Sequence, residues 1–91
     1  MNQFSVLIVD DEINIVRGLA LLIERFVPEC LVAGTACDGE QGYQKTMEIN
    51  PDIILTDIRM PQADGIEMIR RLKTAGHPAR FIILSGFAEF E

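Results

Sequence analysis

Three aspartates and one serine are the residues of this chain best suited to chemistry, because each follows a run that reads as a buried strand. Asp10 and Asp11 follow Ser5-Val6-Leu7-Ile8-Val9, Asp57 follows Ile53-Ile54-Leu55-Thr56, and Ser85 follows Phe81-Ile82-Ile83-Leu84. A single aspartate in such a place is ordinarily a helix cap or a turn residue. Carboxylates that converge repel one another unless a cation sits among them, and oxygen ligands at one rigid edge suit a hard ion such as Mg2+. Mg2+ completes its shell with water and phosphate oxygens, so a site of this kind is prepared for a phosphoryl ligand. An aspartate carboxylate is ionised near neutral pH, so Asp57 would attack phosphorus without a general base. The Ser85 hydroxyl could donate to a phosphoryl oxygen.

Convergence of these groups requires a particular arrangement of elements. Ile13, Val16, Ala20, Ile23 and Val27 recur at helical spacing, with Leu19 and Phe26 widening the stripe, until Pro28 ends the helix. Gly18 lies inside it at a cost of about 1 kcal/mol relative to alanine. Glu12 stands where it could cap this helix or support a metal ligand. Leu31 to Ala36 reads as a second strand, and Asp38 takes the N-cap position of a second helix over Glu40 to Glu48, with Tyr43 and Met47 on one face. Asn50-Pro51 breaks that helix. Pro61 forbids continuation of the strand that ends at Asp57, and Ala63-Asp64-Gly65 is a turn. Ile66, Ile69 and Leu72 point a third helix inward, and Arg70, Arg71 and Lys73 suit its negative end as a solvated terminus. Gly76-His77-Pro78 closes it, with His77 a surface residue, and Ala88 to Glu91 opens a further helix.

Strands that are continuously apolar and alternate with helices predict an α/β fold, a doubly wound parallel sheet covered on both faces. In the flavodoxin-like order 2-1-3-4, the first and third strands are neighbours and ligands bind beyond their carboxyl ends. Asp10, Asp11, Asp57 and Ser85 then face one crevice.

The chain has 91 residues and a formal net charge of −6, which argues against direct nucleic-acid binding by this segment. Its apolar runs fall short of the roughly 20 residues that span a bilayer. Without a signal peptide the expected location is the cytoplasm, where Cys30 and Cys37 stay reduced and act as small packing residues.

Four motifs in order, Val9-Asp10-Asp11-Glu12, Thr56-Asp57-Ile58-Arg59-Met60-Pro61, Asp64-Gly65 and Leu84-Ser85-Gly86, make the chain similar to the receiver domain of a bacterial two-component response regulator. The resemblance implies that Asp57 is the phosphoacceptor for a sensor histidine kinase. It further implies that Asp10, Asp11, Asp57 and the main-chain carbonyl of Arg59 hold Mg2+, Asp11 directly and Asp10 partly through water, and that Ser85 is the switch hydroxyl. The ending Ser85 to Glu91 resembles regulators with an AraC-type DNA-binding output domain, so DNA binding would belong to the parent protein.

Residues 1–91 match the N-terminal part of such a receiver. The family pattern continues with a helix, a fifth strand ending in a lysine, and a last helix; without them the expectation is weak switching and an open edge at Phe81 to Leu84. A homodimer or an exchange of elements through that edge would cover it. Two other readings stand beside this one: a non-switching structural or dimerisation fragment, and a haloacid-dehalogenase-like phosphotransferase. The latter needs an Asp-x-Asp pattern where this chain has Asp10-Asp11-Glu12.

Overall fold

The computed structural model describes residues 3–58 and 65–84. In chain order these form β1 (Phe4–Val9), α1 (Ile13–Phe26), β2 (Cys30–Ala36), α2 (Gly39–Ile49), β3 (Ile53–Asp57), α3 (Gly65–Thr74) and β4 (Arg80–Leu84). All strand pairs are parallel and the sheet order is β2-β1-β3-β4, the order expected of the doubly wound fold. The expected helix over Ala88 to Glu91 lies outside the described residues.

Two apolar layers clamp the sheet. Val6 and Ile8 face α1, where Val16 is buried and Leu19, Ala20 and Ile23 pack around it. Leu7, Val9 and Ile54 face α2 and α3, meeting Met68 and Leu72. Complete burial of a leucine or isoleucine such as Leu7, Ile8 or Ile54 contributes about 2 kcal/mol, an upper figure because unfolded chains already bury some surface. β1 is therefore the central strand of the core, and its last residue leads directly into Asp10.

β2 serves both layers. Val6 pairs with Val32 but Leu7 pairs with Gly34, so Ala33 is an extra residue in the ladder. That bulge turns Gly34 and Ala36 toward the α2 face while Cys30 and Val32 stay on the α1 face.

Asp38 caps α2 as expected, its Oδ1 accepting the Gln41 N–H at 2.8 Å. Asn50 ends the helix in the left-handed region at φ 50°, a conformation asparagine tolerates better than most residues. Gly76, at φ 79°, ends the turn after α3.

Several expected positions differ. Ile13 does not join the inward stripe of α1 and Phe26 does not widen it, Phe26 being 71% exposed, because the helix meets the sheet along the line of Val16, Leu19, Ala20 and Ile23. Met47 faces outward while Tyr43, one turn earlier, packs on the core. In α3 the inward residue is Met68 rather than Ile66, since the contact line runs through Met68 and Leu72 at i, i+4. β4 is not buried on both faces, as Ile82 and Ile83 are half exposed. Cys37 is exposed, its thiol against Gln41 Oε1 at 3.1 Å, whereas Cys30 packs on the α1 layer. His77 is more than a surface residue: Nδ1 accepts the Ala79 N–H at 3.1 Å and Nε2 lies 3.2 Å from Asn50 Oδ1.

Candidate metal centre

β1 and β3 are neighbours with Val9 opposite Thr56, so both strands end at the same level and their following acids meet. One carboxylate oxygen from each of Asp10, Asp11 and Asp57 lies within 4.8 Å of the others. The three side chains differ in setting: Asp10 is buried, Asp57 half-buried and Asp11 exposed. The sheet thus holds one acid inside and presents another to solvent.

Asp10 is the anchor. It is 3% exposed, its N–H donates to Ala36 O at 3.0 Å, and its Oδ1 accepts the Glu12 N–H at 2.9 Å. Burial pushes its carboxyl above the ordinary 3.8, a direction the charges of Asp57 and Asp11 reinforce and the Glu12 N–H opposes. The bond to Glu12 also revises an expectation: Glu12 occupies the N-cap position of α1, yet its side chain makes no cap hydrogen bond among the described residues. Asp10, from two residues earlier, instead accepts the main-chain N–H of Glu12 itself.

Asp57 is held from behind. The buried Thr56 hydroxyl donates to the Asp57 carbonyl at 2.8 Å, and the Gly65 N–H donates to Ile58 O at 3.2 Å. A Cβ on Gly65 would overlap the Asp57 carbonyl oxygen, so only glycine lets α3 begin this close to the strand end. Ser85 and Arg59 lie outside the described residues; Leu84, which precedes Ser85, pairs with Asp57 across the sheet.

The donor set fits a hard divalent cation. It offers oxygen atoms only, on a rigid edge, and it leaves a buried carboxyl disfavoured as an anion, a cost that a neighbouring positive charge removes. Beside Asp10 and Asp11 a cleft of about 170 Å3 runs between Ile13, Val16 and Gln41. A larger cleft of about 600 Å3, walled by Phe4, Pro51, His77 and Arg80, opens at the other end of the strands and shares no residue with the acids.

Two features were missed from sequence. Gln41 stands three residues after Asp38 in a capping-box spacing, and its Oε1 accepts the Cys37 N–H at 3.1 Å, which fixes the end of β2 beside Asp10. Arg71, expected in a solvated terminus, instead reaches α2, its Nη1 2.7 Å from Glu40 Oε1 and its guanidinium 4.0 Å from the centre of the Tyr43 ring. The first had a legible signal in Asp-x-x-Gln; the second depends on a helix pairing that local pattern does not encode.

Residues 6–91 match the family model described as the response regulator receiver domain. The chain is 38% identical over 89 residues to the transcriptional regulatory protein YesN of Bacillus subtilis, covering 98% of this chain and 24% of that protein. It therefore spans about a quarter of that relative's length. Among solved structures, the response regulator domain of Thermotoga maritima CheB superposes with a TM-score of 0.88 at 33% identity, over 96% of this chain and 63% of that one. CheY in the CheX-CheY-BeF3-Mg2+ complex of Borrelia burgdorferi gives 0.83 at 34% identity, over 92% and 63%. No described helix is long and apolar enough to cross a membrane.

Proposed function

This chain belongs to the response regulator receiver family, and on that premise we propose that Asp57 accepts a phosphoryl group from a sensor histidine kinase in a Mg2+-dependent phosphorelay. The supporting observation is the convergence of Asp10, Asp11 and Asp57 at the ends of adjacent strands. An Asp57 oxygen forms a bond to phosphorus as the bond from phosphorus to the donor imidazole breaks, and the imidazole leaves with the electron pair. Asp10, Asp11 and Asp57, with the Arg59 main-chain carbonyl, would hold Mg2+, and Ser85 would donate to a phosphoryl oxygen. Bound Mg2+ supplies charge neutralisation for the carboxylates and the transferring group.

A protein donor is supported by the surface next to the acids. α1 starts three residues after Asp10 and carries exposed Ile15, Leu22 and Phe26 at i, i+7 and i+11, an apolar strip suited to a helical partner. YesN is a transcriptional regulatory protein, which supports a parent protein whose output is transcription. This acidic segment would act in the cytoplasm as the N-terminal part of the receiver, a signalling rather than an enzymatic module, and leave nucleic acid to another domain. Family membership leaves the haloacid-dehalogenase-like alternative without support.

A second reading, association of two copies through β4, is favoured by the half-exposed Ile82 and Ile83. Sedimentation would show a concentration-dependent dimer; a monomer at high concentration removes that reading.

The phosphoacceptor is tested by mass measurement after incubation with a small-molecule phosphodonor and Mg2+. One phosphate on the wild type, absent from Asp57→Ala and absent when Mg2+ is chelated, is the expected result. Equal incorporation in Asp57→Ala would place the acceptor elsewhere.

A further inference from the structure

Two paths of contact lead from Arg71 to the acidic cluster. Arg71 lies in the last turns of α3, whose first residue, Gly65, is packed against the Asp57 carbonyl and bonded to Ile58. Its guanidinium meanwhile pairs with Glu40 at 2.7 Å and lies 4.0 Å from the Tyr43 ring centre, both on α2. α2 is capped by Asp38, two residues after Ala36, whose carbonyl receives the Asp10 N–H. One path ends at Asp57 and the other at Asp10.

Apolar packing alone does not fix such an arrangement. Met68 and Leu72 hold α3 on the sheet, but hydrophobic contact is non-directional and resists separation better than sliding or rotation. A planar guanidinium that is both hydrogen-bonded and stacked is directional, and it sits half-buried where the two helices meet. The pairing is also felt chemically, since the hydrogen bond from Arg71 and then its charge hold the Glu40 carboxyl below its ordinary range. No other residue on α3 has an ion pair to α2 among the salt bridges of the described residues, the Arg70–Glu67 pair lying within α3.

We propose that Arg71 is a positioning residue: by locking α3 to the first turns of α2 it sets the separation of the Asp57 and Asp10 carboxylates, and with it the affinity of the cluster for a divalent cation. Mg2+ demands near-ideal octahedral geometry, so a small change in that separation matters more for binding than for folding. The proposal rests on the metal-dependent reading of the site.

The test is a Mg2+ titration followed by the amide NMR signals of Asp10, Asp11 and Asp57 in the wild type, Arg71→Ala, Arg71→Lys and Tyr43→Leu. Loss of a positive charge would by Coulomb attraction alone tighten cation binding. The positioning role predicts the opposite sign for Arg71→Ala, a weakening of about fivefold, below the roughly ten- to hundredfold seen when a residue bonded directly to a metal ligand is removed. Arg71→Lys, which keeps the charge and loses the fork and the stack, should recover only part of the affinity. Tyr43→Leu should weaken binding as well. Unchanged or tightened binding in Arg71→Ala overturns the proposal; should that variant fail to fold, unchanged binding in Arg71→Lys overturns it. A wild type with no Mg2+ response removes the metal-site reading itself, and this proposal with it.

Discussion

Gly65 stands so close to Asp57 that a methyl group in place of its hydrogen would overlap the Asp57 carbonyl oxygen and come 2.9 Å from Ile58 Cα. Both are main-chain atoms, so neither can swing aside as a flexible side chain would. Gly65→Ala must therefore push the start of α3 away from the end of β3. Overpacking of this kind costs about 1–3 kcal/mol, and each kcal/mol lowers the melting temperature of a domain this size by roughly 4–8 °C. Thermal unfolding should show that loss, and Mg2+ titration should show weaker binding alongside it. A variant as stable as the wild type would mean that α3 can shift freely.

Asp10 gives a pH-dependent prediction whose sign follows from its raised carboxyl. Burial is the first cause, with the charges of Asp57 and Asp11 adding to it against the Glu12 N–H. The folded protein holds this proton more tightly than the unfolded chain does. Its stabilising contribution is thus full below the unfolded value of about 4 and is lost as pH rises through the higher folded value. Asp10→Asn keeps an oxygen for the Glu12 N–H and removes the buried charge. In chelator at neutral pH the variant should melt higher than the wild type, with the gap closing on acidification toward about pH 4. Saturating Mg2+ should stabilise the wild type but not the variant. Equal melting at every pH in chelator would show that the buried carboxylate carries no cost.

The site was legible to the extent that strand ends are legible. Val6 to Val9 and Ile53 to Leu55 are apolar without alternation, so the acids following these strands had to sit at the carboxyl edge of a parallel sheet, and the sheet order then made Asp10 and Asp57 neighbours. What pattern could not supply was the direction in which each helix faces. Ile13, Phe26, Met47 and Ile66 all fit a helical stripe, yet all are exposed, because the line of contact on each helix is set by the strands beneath it. The same gap hid Arg71, whose partners lie 31 residues away on Glu40 and 28 on Tyr43.

Glycines in this fold separate into those that fill a contact and those that do not. A Cβ on Gly18 would meet nothing within 4 Å, and the residue lies within α1. Gly18→Ala should raise stability by about 1 kcal/mol through helix propensity alone. A Cβ on Gly42 would instead stand 2.5 Å from Met68 Sδ and 3.1 Å from Val9 Cγ2, between α2, α3 and β1. Gly42→Ala should lower stability, by about 1 kcal/mol or more after Met68 repacks. Denaturant melts of both variants check the pair, and a gain of stability in Gly42→Ala would show that helix propensity outweighs packing at Gly42.

Asp52 ties together the strand starts, at the end of the sheet remote from the acids. Its Oδ2 accepts the Ser5 N–H at 2.8 Å and lies 3.2 Å from Ser5 Oγ, its own N–H donates to Ser5 O at 2.9 Å, and its carbonyl accepts the Arg80 N–H at 2.9 Å. The carboxylate thus bridges β1 to β3 while the main chain carries the link on to β4. Asp52→Ala removes only the side-chain bonds, in a place open to water, so the cost should be about 1 kcal/mol. β3 runs from Ile53 to Asp57, and five residues at about 3.3 Å each put the two ends on the order of 15 Å apart. Mg2+ affinity should therefore stay at the wild-type value in Asp52→Ala while stability falls. Loss of both together would show that the carboxyl edge senses the opposite end of the sheet, and the geometry of the metal centre would then depend on the whole β1–β3 pair rather than on the strand ends alone.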